Sequence, residues 1–210
     1  MNTRLSETAF AEHFNISRKP LRQAMAKLVE EHLLEKIEKG GCRVASFSVE
    51  DIFDAVELRG MLESTAARLA AERGSDPDLL TEAESIHQKL DHPVSASGEI
   101  NFAADVELND RLHQIIAGLA KPRVMERELE RMTQLPLASP SAFLRGQELV
   151  TNFQESLGRA QRQHLAILSA IKSREGSRAE TLARENLEFL ISADPEVSKR
   201  VPGLALVSNA

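Results

Sequence analysis

The feature that most constrains the fold is an alternation of three- and four-residue spacings between apolar positions, which recurs through most of the chain. Its longest run comprises Val150, Phe153, Leu157, Ala160, His164, Ile167 and Ile171. This spacing places side chains on one face of an α-helix. Shorter runs of the same kind begin at Leu79 and Leu108. The pattern predicts about six helices between Ser48 and Ile191, packed as an antiparallel bundle.

Residues 1–45 follow a different plan, which predicts a helix-turn-helix. The stretch "RLSETAFAEHF" indicates a short helix with Ser6 at its N-cap. Asn15-Ile16 indicates a turn, after which Ser17 caps a second helix that has Pro20 in its first turn. Two helices joined by a turn of about four residues form a helix-turn-helix.

A β-hairpin is predicted directly after the second helix. In "LLEKIEKGGCRVASF", Leu34, Lys36 and Glu38 alternate with Glu35, Ile37 and Lys39 as on the two faces of a strand. Gly40-Gly41 supplies a turn, and "CRVAS" can return as a second strand. A hairpin in this position forms the wing of a winged helix. Cys42, the only cysteine of the chain, lies in this wing, so the sequence excludes an intrachain disulfide and a thiolate metal cluster.

Charge is distributed unevenly along the chain. The net charge of −6 on its own argues against a nucleic-acid partner. Residues 1–45, however, hold 8 Lys and Arg against 6 Asp and Glu, a net of +2, whereas residues 46–210 hold 18 against 26, a net of −8. A basic segment joined to an acidic body can mark a nucleic-acid-binding element.

The cationic start of the second helix is the strongest sign of such an element. A recognition helix enters the major groove by its N-terminal residues. Ser17, Arg18, Lys19 and Arg22 would therefore face double-stranded DNA, whose phosphates supply the negative charge that a helix N-terminus prefers. The alternative is a solvated basic helix end in an ordinary bundle.

The sequence carries no sign of a membrane or of secretion. No apolar run approaches the roughly 20 residues of a membrane span, and the N-terminus lacks the basic-then-apolar pattern of a signal peptide. We therefore expect a cytoplasmic protein without a membrane partner. Walker A, dinucleotide-binding, HExxH and nucleophile-elbow motifs are also absent from the sequence.

Four polar side chains fall on inward-facing positions of three predicted helices. His164 lies within the apolar run of its helix, Asn186 does so on the last helix, and Asn109 and His113 lie one turn apart beside an apolar stripe. Unpaired polar groups in a core are costly. These side chains therefore either satisfy one another or line a wet pocket that binds a ligand.

Several stretches carry a resemblance to a known family. "RLSETAFAEHFNISRKPLRQAMAKLVEEHLLEKIEKGGCRVASFSVED" resembles the winged-helix domain of the GntR family of bacterial transcription regulators. "IFDAVELRGMLESTAARLAAE", "LNDRLHQIIAGLA" and "QHLAILSAIKSREGSRAETLARENL" resemble helices of the FadR-type (FCD) effector-binding domain. The resemblance covers roughly residues 4–191.

This resemblance implies a homodimer that binds a pseudo-palindromic operator and is modulated by a small organic acid. The DNA-reading segment and the wing tip would comprise Ser17, Arg18, Pro20, Arg22, Gly40 and Gly41. The resemblance also implies an additional helix before "RLSE", where this sequence has only Met1, Asn2 and Thr3. We therefore expect a start further upstream, a truncated chain or a compromised DNA-binding domain.

The resemblance further implies a divalent metal, zinc or similar, held through Asn109, His113 and His164. The position implied for another histidine ligand holds Asn186 instead. Two imidazoles and two neutral amides make a weak site without an anionic ligand. A metal-free pocket, or a metal completed by the carboxylate of the effector, is therefore an equally good interpretation.

The predicted effector site adds Arg59 to the four inward-facing polar residues. Its guanidinium would receive an anionic effector. The alternative is a salt bridge from Arg59 to Glu57, to Glu63 or to another acidic side chain.

The sequence thus predicts a mostly α protein in three parts. Residues 1–46 form a winged helix-turn-helix, residues 47–192 form an all-α antiparallel bundle of the FCD type, and residues 193–210 form a loosely ordered tail. The predicted function is that of an effector-modulated DNA-binding transcription regulator, not an enzyme. The alternatives are a helical metal-dependent enzyme with His113 and His164 as ligands, and an effector sensor with a compromised DNA-binding domain.

Overall fold

The computed structural model describes residues 4–38, 40–90, 102–121, 123–133 and 153–192. Within these ranges the chain divides into two compact units, with the boundary between Ser48 and Val49. The tail predicted for residues 193–210 and the start of the longest apolar run, at Val150, lie outside the described residues.

The first unit contains the predicted helix-turn-helix. Helix α1 spans Glu7–Phe14, and helix α2 spans Arg18–Glu30. The Ser6 hydroxyl accepts a hydrogen bond from the N–H of Ala9 at 3.5 Å, which caps α1 as predicted. Asn15 ends α1 with a left-handed φ of 51° and so starts the predicted turn.

Three short strands complete the first unit. β1 spans Arg4–Leu5, β2 spans Leu34–Lys36 and β3 spans Cys42–Val44, in the antiparallel order β1-β3-β2. The predicted hairpin is therefore confirmed, with strands shorter than expected. The strand β1 was not predicted from the sequence: Arg4 and Leu5, which precede the predicted cap Ser6, pair with β3.

The turn between β2 and β3 requires a glycine. Gly41 has a φ of 89°, and a Cβ atom there would lie 3.0 Å from the carbonyl oxygen of Leu5. A side chain would thus strain the backbone and push β1 away from the hairpin. The core of this unit consists of Ala11, Leu21, Met25, Leu34 and Cys42.

The described residues of the second unit form six helices, which confirms the mostly α prediction. They are α3 (Val49–Arg73), α4 (Pro77–Leu90), α5 (Phe102–Gly118), α6 (Arg123–Thr133), α7 (Phe153–Lys172) and α8 (Gly176–Ser192). The contact between α3 and α8 is the largest of any helix pair among the described residues. In the ranges that the structure covers, no helix combines the length and apolar character that a bilayer crossing needs.

Much of the buried core of the second unit comes from the predicted apolar stripes. Leu112 of α5, Ile167 and Ile171 of α7 and Ala83 of α4 are nearly or fully inaccessible to solvent. At the start of α8, a Cβ atom on Gly176 would lie 2.8 Å from Cγ of Glu72, so the absence of a side chain lets α8 approach α3 closely. This bundle provides the framework for the polar residues of the interior.

Candidate functional site

The first candidate site is the cationic N-terminus of α2. The side chains of Arg18 and Arg22 are 62% and 65% exposed, so both guanidinium groups lie at the surface. Lys19 and Pro20 are also exposed on this turn. Ser17 occupies the N-cap as predicted, but its side chain makes no capping hydrogen bond.

A carboxylate from the preceding helix lies between the two arginines, which sequence reasoning did not anticipate. Arg22 donates from Nε and Nη2 to Oε2 of Glu7, at 3.2 and 3.0 Å. Nη2 of Arg18 lies 3.8 Å from the same oxygen. The hydrogen bond from Arg22 is the main reason why the pKa of the Glu7 carboxyl is lowered. Glu7 and Arg22 are 15 positions apart, beyond the reach of any helical spacing rule.

The predicted wing tip presents bare backbone. Gly40 has a φ of 82°, and among the described residues beyond its chain neighbours no atom lies within 4 Å of the place where its Cβ would be. Below the tip, Arg43 donates from Nε to Oε2 of Glu35 at 2.7 Å across the hairpin. Such a tip allows close backbone approach to a partner surface.

The second candidate site is the polar interior of the helical unit. Asn109, His113, His164 and Asn186 are all buried there, as their spacing predicts. The rings of His113 and His164 meet edge to face, with centroids 5.1 Å apart. The side-chain amide of Asn186 donates to Oε1 of Gln163 at 3.1 Å. The roles predicted for these four residues in binding an effector or a metal stay predictions.

Helix α3 supplies a buried carboxylate, Glu63, whose contact with His113 was not predicted from the sequence. Oε2 of Glu63 lies 2.9 Å from Nδ1 of His113, and Oε1 lies 3.4 Å from Nε of Arg59. Arg59 is fully buried, and Glu63 is 6% exposed. Of the two interpretations left open for Arg59, the ion pair with Glu63 is thus present. The contact with His113 was missed because 50 positions separate the two residues.

Opposing effects act on the ionisation of this cluster. Burial alone raises the pKa of Glu63, but the charges of His113 and Arg59 and the hydrogen bond from His113 outweigh burial and lower it overall. Burial lowers the pKa of Arg59, against the charges of Glu63 and Asp110. The structure therefore holds an ionised carboxylate beside a guanidinium inside the bundle.

His164 is held in its neutral form. Burial is the main reason why its pKa lies well below the ordinary 6.5, and nearby His113 and His87 add to the effect. Its Nδ1 lies 3.5 Å from Oε1 of Gln161, and a hydrogen bond with Asn186 opposes the shift. The backbone oxygen of Gln161 in turn lies 2.9 Å from Nε2 of His87.

We expect the helical unit to lose stability as the pH falls below 6.5. Between the folded pKa of His164 and 6.5, the unfolded chain binds a proton that the folded chain does not. The free energy of unfolding should therefore fall by about 1.4 kcal/mol per pH unit on account of this residue. Urea unfolding at about pH 7.5 and about pH 5.5, with EDTA present, measures the change. His164→Gln should lose less stability over the same interval; equal losses would contradict the assignment.

A cavity of about 330 Å³ lies among α3, α5 and α6, within the usual size of small-molecule sites. Glu63 and His113 line its buried side. Arg111, Glu126 and Glu130 line the side nearer to solvent.

The charge of the cavity depends on how Arg111 is paired. It binds Glu82, with Nη2 2.8 Å from Oε1. The charged groups of the described lining are thus mainly carboxylates. Arg59 is not among the lining residues.

The described residues do not fit a tightly held divalent metal. Across the described ranges, no group of three or more His, Cys, Asp and Glu side chains is arranged to hold an ion. Glu63 is engaged with His113 and Arg59, and Asn186 contributes a neutral amide. His113 and His164 are the two imidazoles that the predicted set retains, and two imidazoles are fewer than a zinc site ordinarily uses.

Comparisons with known proteins match both units. The family "Bacterial regulatory proteins, gntR family" matches residues 1–44, and the family "FCD domain" matches residues 54–189. The chain is similar to the Nta operon transcriptional regulator of Aminobacter aminovorans, with 29% identity over 56% of this chain and 54% of that protein. It thus spans about half the length of that relative.

Two further proteins agree with these matches. The HTH-type transcriptional repressor GlaR of Escherichia coli is 29% identical over 80% of this chain and 75% of its own length. The solved structure of Escherichia coli McbR/YncC has a TM-score of 0.67, with 20% identity, over 91% of this chain and 86% of that chain. At that identity, the structural likeness concerns the fold alone.

Proposed function

Because the chain belongs to the GntR family of bacterial transcription regulators and carries an FCD domain, we propose that it binds operator DNA and changes its affinity when a small molecule occupies the helical unit. The single observation that carries the DNA-binding part is the exposed pair Arg18 and Arg22 at the start of α2. We place the protein in the cytoplasm, as a homodimer on a pseudo-palindromic site.

The proposed DNA contacts follow the predicted residues. Arg18 and Arg22 carry forked donors that suit guanine edges or phosphates, and Lys19 carries a point charge that suits phosphate.

The remaining proposed contacts come from uncharged residues. Ser17 makes no capping bond, so its hydroxyl would face the DNA. Pro20 fixes the backbone of the first turn, and the bare backbone of Gly40 and Gly41 would approach the minor groove.

An enzymatic role is set aside. The matched family and the named relatives are transcription regulators, not enzymes. A sensor with a compromised DNA-binding domain remains an outcome of the DNA-binding experiment.

The effector is proposed to bind at the cavity beside Glu63 and His113. The family resemblance implies a small organic acid, for which Arg111 and His113 would be the receiving groups. Binding would couple to operator affinity by about 1–3 kcal/mol, which is typical of allosteric proteins. Arg59 would act from behind the cavity, through its ion pair with Glu63.

A small cation is a second candidate for the effector. Glu63, Glu126 and Glu130 line the cavity, while Arg111, the one arginine of the described lining, already binds Glu82. This balance of charge among the described lining residues disfavours a carboxylate and favours an amine. Screening organic acids together with amines of the same carbon skeleton separates the two candidates.

Fluorescence anisotropy of labelled DNA tests the proposed function directly. The probe is duplex DNA from the region upstream of the gene for this protein, with a shuffled duplex of equal composition as control. We expect tight binding to the first duplex, weaker binding to the second, and a loss of affinity with added salt. Equal affinity for both duplexes would contradict the proposal and favour a sensor that acts without DNA.

A substitution at position 186 tests whether the interior of the helical unit can bind a metal. FCD domains can bind metals. Because Asn186 hydrogen-bonds His164, an imidazole at that position would add a third nitrogen donor beside the ring. Asn186→His is therefore expected to bind zinc at least about tenfold more tightly than the natural chain.

Competition with a fluorescent zinc chelator measures this affinity. The double variant Asn186→His, His164→Gln is the matched control and should lose the gain. If the double variant keeps the gain, the added imidazole acts at the surface and His164 is not part of the site.

A further inference from the structure

We propose that Glu7 is a positioning residue for DNA recognition, which holds Arg22 in the orientation that reads the operator. The inference rests on the proposed DNA-binding function. Its basis is the placement of one carboxylate of α1 against two guanidinium groups of α2.

The contact between Glu7 and Arg22 uses one edge of the guanidinium group. Nε lies 3.4 Å from Oε1 and 3.2 Å from Oε2, and Nη2 lies 3.0 Å from Oε2. A guanidinium has five N–H donors in a fixed fork. Glu7 therefore leaves the Nη1 edge of the Arg22 guanidinium unused. The Arg22 side chain is 65% exposed, and this edge faces away from the carboxylate.

Recognition of a base requires a guanidinium edge that is held in one orientation. A free arginine must give up rotamer freedom when it forms two parallel hydrogen bonds to guanine. A side chain already held in one orientation gives up less of that freedom on binding. The hydrogen bonds to Glu7 also tie α1 to the start of α2, which fixes the direction from which Arg22 leaves the helix-turn-helix.

The alternative is that Glu7 acts only through its negative charge, and this can be tested because the two roles predict different effects on DNA binding. If Glu7 only supplied negative charge near the DNA, it would repel phosphates of any sequence to the same degree. Its removal would then raise the affinity for every duplex. A positioning role predicts a loss that is confined to the specific duplex and that depends on Arg22.

The experiment compares Glu7→Gln with Glu12→Gln, which removes the same charge from an exposed site on the same helix. Anisotropy titrations use the upstream duplex and the shuffled duplex described above. We expect Glu7→Gln to lower the ratio of the two affinities by about tenfold, and Glu12→Gln to leave the ratio unchanged. On an Arg22→Ala background, Glu7→Gln should have almost no further effect on the ratio.

A second variant distinguishes a loss of DNA recognition from a loss of folding. Glu7 lies in the first turn of α1, where its charge favours the helix. Glu7→Asp keeps that charge but shortens the reach to Arg22, so it should also lower the ratio while the Tm stays near that of the natural chain. A natural chain that binds both duplexes equally overturns the proposed function and this inference together. A selective natural chain whose Glu7 variants match Glu12→Gln overturns this inference alone.

Discussion

Replacing Glu63 by glutamine is expected to lower the free energy of unfolding of the helical unit by about 3–5 kcal/mol, as for other broken buried ion pairs. The carboxylate of Glu63 lies 3.4 Å from Arg59, which is fully buried, and 2.9 Å from His113. Glutamine keeps the shape of the side chain but removes the charge. The guanidinium of Arg59 would then remain inside the bundle without the charge of Glu63, while the charge of Asp110 still acts on it.

Urea unfolding followed by far-ultraviolet circular dichroism measures this change. Glu82→Gln is the matched control, because it breaks the half-exposed pair with Arg111 and should cost less than about 1 kcal/mol. Since the pKa of Glu63 is lowered on folding, its contribution is present above its ordinary pKa of 4.5 and is lost as the pH falls through the folded pKa. Equal effects of the two substitutions would contradict the buried ion pair.

Replacing Arg22 by alanine is expected to cost about 1–3 kcal/mol of specific DNA binding, or roughly 5- to 150-fold in affinity. The substitution removes a forked donor that we place at a base edge. It also leaves the Glu7 carboxylate without its hydrogen-bond donor beside the DNA. Affinity for the shuffled duplex should fall much less than affinity for the upstream duplex.

Lys19→Ala is the matched control for this substitution. Lys19 is exposed on the same helical turn, and a phosphate contact from it carries no sequence information. Its removal should weaken both duplexes alike and reduce the slope of log affinity against log salt by about 1. If Arg22→Ala also weakens both duplexes alike, Arg22 binds phosphate and the assignment of base reading is wrong.

The features predicted well from the sequence are those set by local spacing. The three- and four-residue periodicity gave the helices of the bundle, because an apolar stripe has little alternative to burial. The same rule placed His113 and His164 inside the core, where both are found. The turn at Asn15 and the glycines of the wing follow from backbone preferences of single residues.

The features that sequence reasoning missed are contacts between residues that are distant in sequence. The two residues of β1 form a strand only because β3 lies beside them, and a pair so short carries no periodicity. The carboxylate of Glu63 meets His113 from another helix, and Glu7 meets Arg22 across the turn. Such pairs depend on how helices pack, which a single sequence does not encode in its spacing.

The large contact between α3 and α8 has a consequence for how the chain folds during synthesis. All of α4 to α7 lies between these two helices in sequence, so the ribosome must make those helices before α3 meets its main neighbour. The described part of the N-terminal unit lies within residues 4–48 and can fold soon after it emerges. Until α8 follows, α3 can pack against α5, α6 and α7, but the part of its surface that α8 covers stays exposed to solvent.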